Sequence, residues 1–533
     1  MKINSKIIFL LFTVAGLFAS CNKDFLDRPP LSEISTDNFY QTASDLKLAT
    51  AALYAGTPWA DWTYSSYLTI GDVMSGNMVL GYNDDAIQLN TFSVTGLNSA
   101  VKSNWSGMYK VIAHCNTTIN SINEKTPESV LEEEKNAALA EARFIRGYAY
   151  YNLAVLWGDV PIIEDNTLLI SSPLVSRIKV SDVYQFVVND LTYAAKNLPF
   201  SVGSNWEKGR VTSWSAQGLL AKVYLTWSGL NPESAGERNQ ALLDSAKLYA
   251  GNVCINSGLE LMNNYADLFK TENNFNDEAL FALRWDPSVG SWLEGNMLQI
   301  YSPGGTEISA DGQAGWYGIA PTYDMFLQYS EKDTIRRKAT YMYKNDYYPE
   351  LNAAGGGYTY TGDAGLKKHI IGTKKDNNLA IMTLTSSAEH NALLRLSDVY
   401  LVYAEAILGN NATTSDVEAL MYFNKVRTRA GVDAVTTLDG DLLLKERRIE
   451  LAAEGQFWFD LVSLSYYNTE KAVAFLNNQE RVTFKLSSDG VATAGEPFGV
   501  ITPASANSFK LPIPSSEITA NPKLSEPPVS YSF

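Results

Sequence analysis

The stretch EKNAALAEARFIRGYAYYNLAVLWGDVPII, residues 134–163, most constrains the fold. Ala138, Ala142, Ile145, Ala149 and Leu153 recur at steps of four, three, four and four, which places them on one helical stripe. Gly158 and Pro161 stop that helix. Alanines on the stripe let a neighbouring helix approach closely, as in stacked helical hairpins. The same period recurs along the chain. Met108, Ile112, Cys115 and Ile119 share one face of WSGMYKVIAHCNTTINSI. VYQFVVNDLTYAAKNLP is ended by Pro199. TSWSAQGLLAKVYLTW offers Thr212 as an N-cap and aligns Ala216, Leu220, Val223 and Trp227. Leu242 to Cys254 forms another helix. Later, LLRLSDVYLVYAEAILG groups Leu396, Val399, Tyr403 and Ala406, and SDVEALMYFNKVRTRAGV closes on Gly431 as a C-cap. LLLKERRIELAAEGQFWFDLV is the last strong helix, and FKLPIPSSEITANPKLSEPP reads as a proline-rich extended tail. Residues 257–390 differ, being rich in Gly, Asn, Tyr and Trp with turn-dense stretches such as LNAAGGGYTYTGDAG. The expected fold is mainly α: a tetratricopeptide-like helical-hairpin scaffold with a loop-rich, partly irregular subdomain packed on it.

The N-terminus carries a separate message. Lys2 and Lys6 precede an apolar run from Ile7 to Phe18, and Ala19 and Ser20 lead to Cys21. That run is too short for a bilayer, which takes about 20 residues, and has the order of a secretory signal. Small residues before Cys21 resemble a bacterial lipobox, in which the cysteine is lipidated. Residues 1–20 are therefore expected to be a signal peptide and 21–35 a lipidated tether. Cys115 and Cys254 are too few for a disulfide framework, and the sequence leaves their pairing open. The formal charge of −16 makes nucleic acid a poor partner.

These segments resemble the SusD/RagB family of outer-membrane nutrient-binding lipoproteins. EARFIRGYAYYNLAVLWGDVPII matches its most recognisable helix and the turn after it. RLSDVYLVYAEAILG, FNKVRTRAGV, ERRIELAAEGQFWFDLV and LPIPSSEITANPKL match its C-terminal signatures, in order. The resemblance implies about four helical hairpins, with an N-terminal SusD-like region over 36–256 and a C-terminal RagB/SusD region over 257–533. Within the latter, 257–390 is the loop-rich, ligand-facing part and 391–533 holds helices and the tail. It also implies an outer-membrane, extracellular location through Cys21, and a partner: a SusC-like TonB-dependent transporter to which captured oligo- or polysaccharide is delivered. Some members serve peptide uptake, so a RagB-like peptide-capturing role is the main alternative.

Candidate sites were weighed on residue chemistry. A helical-scaffold glycoside hydrolase would need two carboxylates over a cleft. Glu446, Glu450 and Glu454 lie four apart beside Arg447 and Arg448, with Arg427 and Arg429 on the preceding helix. That pattern reads as a structural ion-pair network, and no catalytic role is expected. His114, His369 and His390 lack ligand spacing. No cofactor is expected, and nothing locates a structural calcium. The thirty tyrosines and eleven tryptophans suit sugar capture better: the C–H faces of sugar rings lie on aromatic rings, and hydroxyls need Asp or Asn partners. Two stretches combine both. The first holds Trp59, Trp62, Tyr64, Asp72, Asn77, Tyr82 and Asp84; the second holds Trp285, Trp292, Tyr301, Trp316 and Tyr317. All twelve are expected to bind ligand.

Overall fold

The computed structural model describes residues 39–533 apart from 55, 204–205, 231–235, 289, 291–294, 310–317, 374–375 and 377–381. The signal segment and Cys21 lie outside the described residues. Eleven described helices have nine residues or more: α1 (Ala43–Ala51), α2 (Ser99–Lys125), α3 (Glu132–Trp157), α4 (Val180–Asn197), α5 (Ser213–Ser228), α6 (Gln240–Asn256), α7 (Leu396–Leu408), α8 (Val417–Arg429), α9 (Gly440–Glu450), α10 (Phe457–Tyr467) and α11 (Thr469–Asn477). No described helix is long and apolar enough to cross a membrane.

Local chemistry sets the helix limits. Thr212 opens α5 with a reciprocal cap: its hydroxyl accepts from the Ser215 N–H, and the Ser215 hydroxyl accepts from the Thr212 N–H at 3.0 Å. Helix α3 stops at Gly158, whose φ of +73° suits a residue without Cβ. The alanine stripe of α3 is buried throughout. Helices α2 to α8 then pack in chain order, each on the next, forming a mainly α scaffold of stacked hairpins.

One hairpin is interrupted. Helices α6 and α7 pack directly on each other although residues 257–395 separate them. The insertion leaves and returns through one antiparallel ladder, Ala279–Leu283 against Asn391–Arg395, with Leu283 opposite Asn391. It holds a small core of its own, from Ile308, Met342, Tyr348, Leu351, Tyr360 and Ile370. Short strand pairs organise it, such as Tyr341–Tyr343 with Ala364–Leu366.

Two expectations need correction. LLLKERRIELAAEGQFWFDLV is not one helix: α9 ends at Glu450, a turn follows, and α10 starts at Phe457. Ala453 and Gly455 take positive φ there, of 61° and 67°, so the helix cannot continue through them. The tail is not simply extended, since Ser515–Ala520 and Pro522–Ser525 form short helical turns. It straps the first hairpins: the Leu511 N–H donates to the Leu156 carbonyl at 2.8 Å, and the Val529 N–H to that of Arg177 at 2.9 Å.

Buried ion pairs join insertion and scaffold. Arg395, the last residue of the returning strand, meets Glu278 at 2.7 Å, Glu450 at 3.1 Å and Glu454 at 2.7 Å. Arg336, inside the insertion, meets Glu446 at 2.6 Å and Glu450 at 3.2 Å. Arg427 and Arg429 supply the expected partners from α8, at 2.7 Å to Glu446 and Glu278 respectively. Arg447 and Arg448 face elsewhere, toward Asp398 and Asp460 and toward Asp324. Burial pushes the Glu450 carboxyl up, but Arg429, Arg395 and Arg336 outweigh it and hold it at about 2. Burial likewise opposes ionisation of Asp398, and Lys222 and Arg447 bring it to about 2. These values lie below the ordinary 4.5 and 3.8, so their stabilisation is complete above the ordinary range and is lost as pH falls through the folded values. Thermal denaturation followed by circular dichroism should show stability falling steeply from pH 4.5 towards pH 2; Glu450→Gln should lower stability by about 3–5 kcal/mol at neutral pH, as for a broken buried pair.

Candidate functional site

The two aromatic stretches meet in space. Strand Met78–Val79 pairs with Ala320–Pro321, with Met78 opposite Pro321. The Thr322 N–H donates to the Asn77 carbonyl at 3.0 Å, and the Ile319 N–H to that of Tyr301 at 3.0 Å. The Tyr301 hydroxyl donates to the Tyr64 carbonyl, and the two rings lie 6.4 Å apart. The sequence separation of more than 200 residues is thus closed by backbone pairing and one tyrosine.

Six of the nine expected contact residues that the structure describes turn inward. Trp59 is 1% exposed: its indole N–H donates to the Leu53 carbonyl at 2.8 Å and its ring packs edge-on against Trp62. Trp62, Trp285 and Tyr301 are also buried, and the Trp285 indole donates to the Asn391 side chain at 2.6 Å. These four rings are core and hinge members with no face open to a sugar. Asp72 and Asn77 are buried too. Asp72 accepts from the Asn77 side chain at 3.0 Å and from the Ala453 and Gly455 N–H groups at 2.9 and 2.8 Å. The pair locks the α9–α10 turn under the first stretch. Backbone contact there is very close, since a Cβ on Gly71 would fall 2.2 Å from the Gly455 Cα. The physical reason is geometric. Residues 63–67 and 69–73 wind in wide turns, the Met74 N–H bonding the Thr69 carbonyl five residues back, and every residue from Ser66 to Leu80 is buried against the scaffold.

Tyr82, Asp84 and Tyr64 remain on the outer side. Tyr82 is 88% exposed, Asp84 is exposed, and Tyr64 is half-buried. Asn83 caps the following short helix, accepting from the Ala86 N–H at 2.9 Å, which anchors the backbone beneath Tyr82. Trp292, Trp316 and Tyr317 lie outside the described residues. The structure adds Phe498, which the residue patterns missed. Its ring lies against Gly81, where an added Cβ would be 2.3 Å away, and it is 44% exposed. Tyr82 and Phe498 thereby form an exposed aromatic edge beside the 78–79 and 320–321 pairing. Phe498 sits between Pro497 and Gly499 in the C-terminal part, a context that carries no periodic signal.

The acidic helix offers no active centre. Glu446, Glu450 and Glu454 are buried and taken up by Arg336, Arg395, Arg427, Arg429 and Lys368. Among the described residues no group of three or more His, Cys, Asp or Glu side chains is placed to hold a metal ion.

With this geometry in hand, comparison with known proteins identifies the class. Residues 348–529 match the SusD family, and residues 24–225 match a family described as starch-binding and associating with the outer membrane. A SusD-like protein of Bacteroides ovatus is 39% identical over 99% of this chain and 98% of its own length. A structure solved with a xylogluco-oligosaccharide is 39% identical, with a TM-score of 0.84 over 92% of this chain and 99% of the other. A laminarin-binding SusD-like protein shares the fold at 24% identity and a TM-score of 0.68, covering 90% of this chain and 98% of its own. The chain belongs to the SusD family.

The inward and outward aromatics should separate cleanly in unfolding experiments. Trp59→Ala should cost about 3–5 kcal/mol in urea denaturation. Tyr82→Ala should stay within about 0.5 kcal/mol of the parent, as for an exposed side chain.

Proposed function

We infer that this protein captures a glycan at the cell surface without cleaving it and delivers it to a SusC-like TonB-dependent outer-membrane transporter. The observation that carries the reading is Tyr82: a ring open on the outer side, on a fixed backbone, where the two aromatic stretches converge. Exposed rings on rigid supports lose little entropy on binding and offer flat faces to sugar C–H groups. Support for a neutral glucan-type ligand comes from the xylogluco-oligosaccharide bound by a relative of 39% identity. Support for a surface location comes from the family description of outer-membrane association and from the lipobox-like order ending at Cys21. In this reading Cys21 is acylated and residues 22–35 tether the scaffold to the outer leaflet. In this reading Tyr82, Tyr64 and Asp84 form the platform, and Trp292, Trp316 and Tyr317 are further ligand-binding residues. The ion-paired state of Glu446, Glu450 and Glu454 favours a binding role over hydrolysis.

Titration of the full-length protein in detergent with xylogluco-oligosaccharide tests the site. Tyr82→Ala should weaken binding by about 1–3 kcal/mol, by analogy with stacking of bases on aromatic platforms, and Phe498→Ala should weaken it less. Equal affinity in the parent and the Tyr82 variant would reject this platform. Stronger binding of a mixed peptide library than of any glycan would favour the peptide-capturing alternative. Reducing ends accumulating with turnover would overturn the non-catalytic reading.

A further inference from the structure

A second groove lies on the helical scaffold, between the α4–α5 connection, the end of α6 and the strand that enters the insertion. Its volume is about 290 Å³, towards the small end of ligand pockets. None of its lining residues belongs to the 59–84 or 296–322 segments that meet at Tyr82. Two features bear on what it could hold.

The first is aromatic. Phe200 is 56% exposed and meets the Trp214 ring at 4.7 Å. Phe275 is 39% exposed and is held edge-on against His390 at 4.9 Å. Gly209 backs the Phe275 ring, with φ of +90° and room for no Cβ. Two aromatic units thus line one small groove.

The second is charge without a partner. Arg284 is half-buried and its guanidinium sits 5.3 Å from the Phe275 ring centre, and among the described residues no carboxylate pairs with it. Lys208 lines the same groove, and it too has no acidic partner among the described residues. Among the described lining residues the one acid is Asp277, and neither cation forms an ion pair with it. His390 bonds through its backbone N–H to the Asn274 side chain, and its imidazole packs edge-on against the Phe275 ring. Burial and the nearby Arg284 lower its pKa to about 4, so the imidazole is neutral and can accept or donate at neutral pH. Arg210 shows the usual alternative, being consumed by Glu141 and Glu207 at 2.8 and 3.0 Å. The larger cleft on the insertion, about 770 Å³, contrasts in the same way: Lys270, Lys338, Lys367 and Lys368 line it and each has a carboxylate neighbour.

A guanidinium held beside aromatic rings suits a ligand with a carboxylate on a compact ring that has an apolar face. The geometry points to a second glycan subsite in this groove, selective for a uronic acid unit, with Arg284 and Lys208 receiving the carboxylate and Phe275 and Phe200 flanking the sugar ring. This goes beyond capture at Tyr82 and does not depend on it.

Calorimetric titration of the full-length protein with sodium glucuronate, glucose and sodium sulfate tests the assignment. Glucuronate should bind saturably and at least about tenfold tighter than either glucose or sulfate. Arg284→Gln should abolish that preference. Lys208→Gln, an exposed change that leaves the fold intact, should weaken glucuronate by a few-fold. Raising salt from about 50 to about 500 mM should weaken it in the same direction. Tyr82→Ala should leave glucuronate affinity unchanged, so loss of the surface platform and loss of this groove are told apart. Equal binding of glucose and glucuronate, sulfate as tight as glucuronate, or unchanged affinity in Lys208→Gln without salt dependence would each overturn the proposal.

Discussion

The structure depends on a buried cluster of charges. Glu278 stands just before the strand that enters the insertion, Arg395 at the end of the strand that leaves it, Glu450 at the end of α9 and Glu454 in the turn that follows. Arg336 adds a contact from inside the insertion and Arg429 one from α8. Each charge loses its hydration on burial, a penalty of several kcal/mol that only close, complementary partners offset. The cluster is therefore intolerant of alternative arrangements. Any register shift at the junction would strand a charge without a counterion.

That intolerance positions the rest. Because the α6–α7 hairpin closes on itself beneath the insertion, the ladder through which the insertion leaves and returns is fixed on the scaffold. Tyr301 and Thr322 then reach back to the 64–77 segment, and Asp72 pins that segment to the α9–α10 turn. The exposed ring of Tyr82 rests on a chain of contacts running through the centre of the molecule. A surface platform of few residues is supported by a much larger buried polar framework.

Residue patterns gave the scaffold well and the contact residues poorly, for definable reasons. A helical stripe such as Ala138–Leu153 is a local property: period and composition say which face is buried. The ion-paired reading of Glu446, Glu450 and Glu454 was legible for a similar cause, since acidic residues so spaced on a helix must find cations nearby. The break between α9 and α10 was not, because Ala453 adopts positive φ only under tertiary constraint from Asp72 and its neighbours. The same limit governs the aromatics. Trp59 and Tyr82 both sit in an aromatic- and polar-rich stretch, yet one is enclosed and the other open. Stacking chemistry does not distinguish a ring that packs on Tyr148 from one that faces outward.

By itself the amino-acid sequence determined the helical-hairpin scaffold, the family and the kind of residue able to hold a sugar, because these follow from short-range periodicity and from motifs read along the chain. Only the tertiary structure decided which rings are exposed, that Phe498 joins Tyr82, and that Arg284 and Lys208 are left without carboxylates among the described residues. Exposure and pairing are relations between segments far apart in the chain. They are settled when buried charges and backbone ladders set those segments side by side.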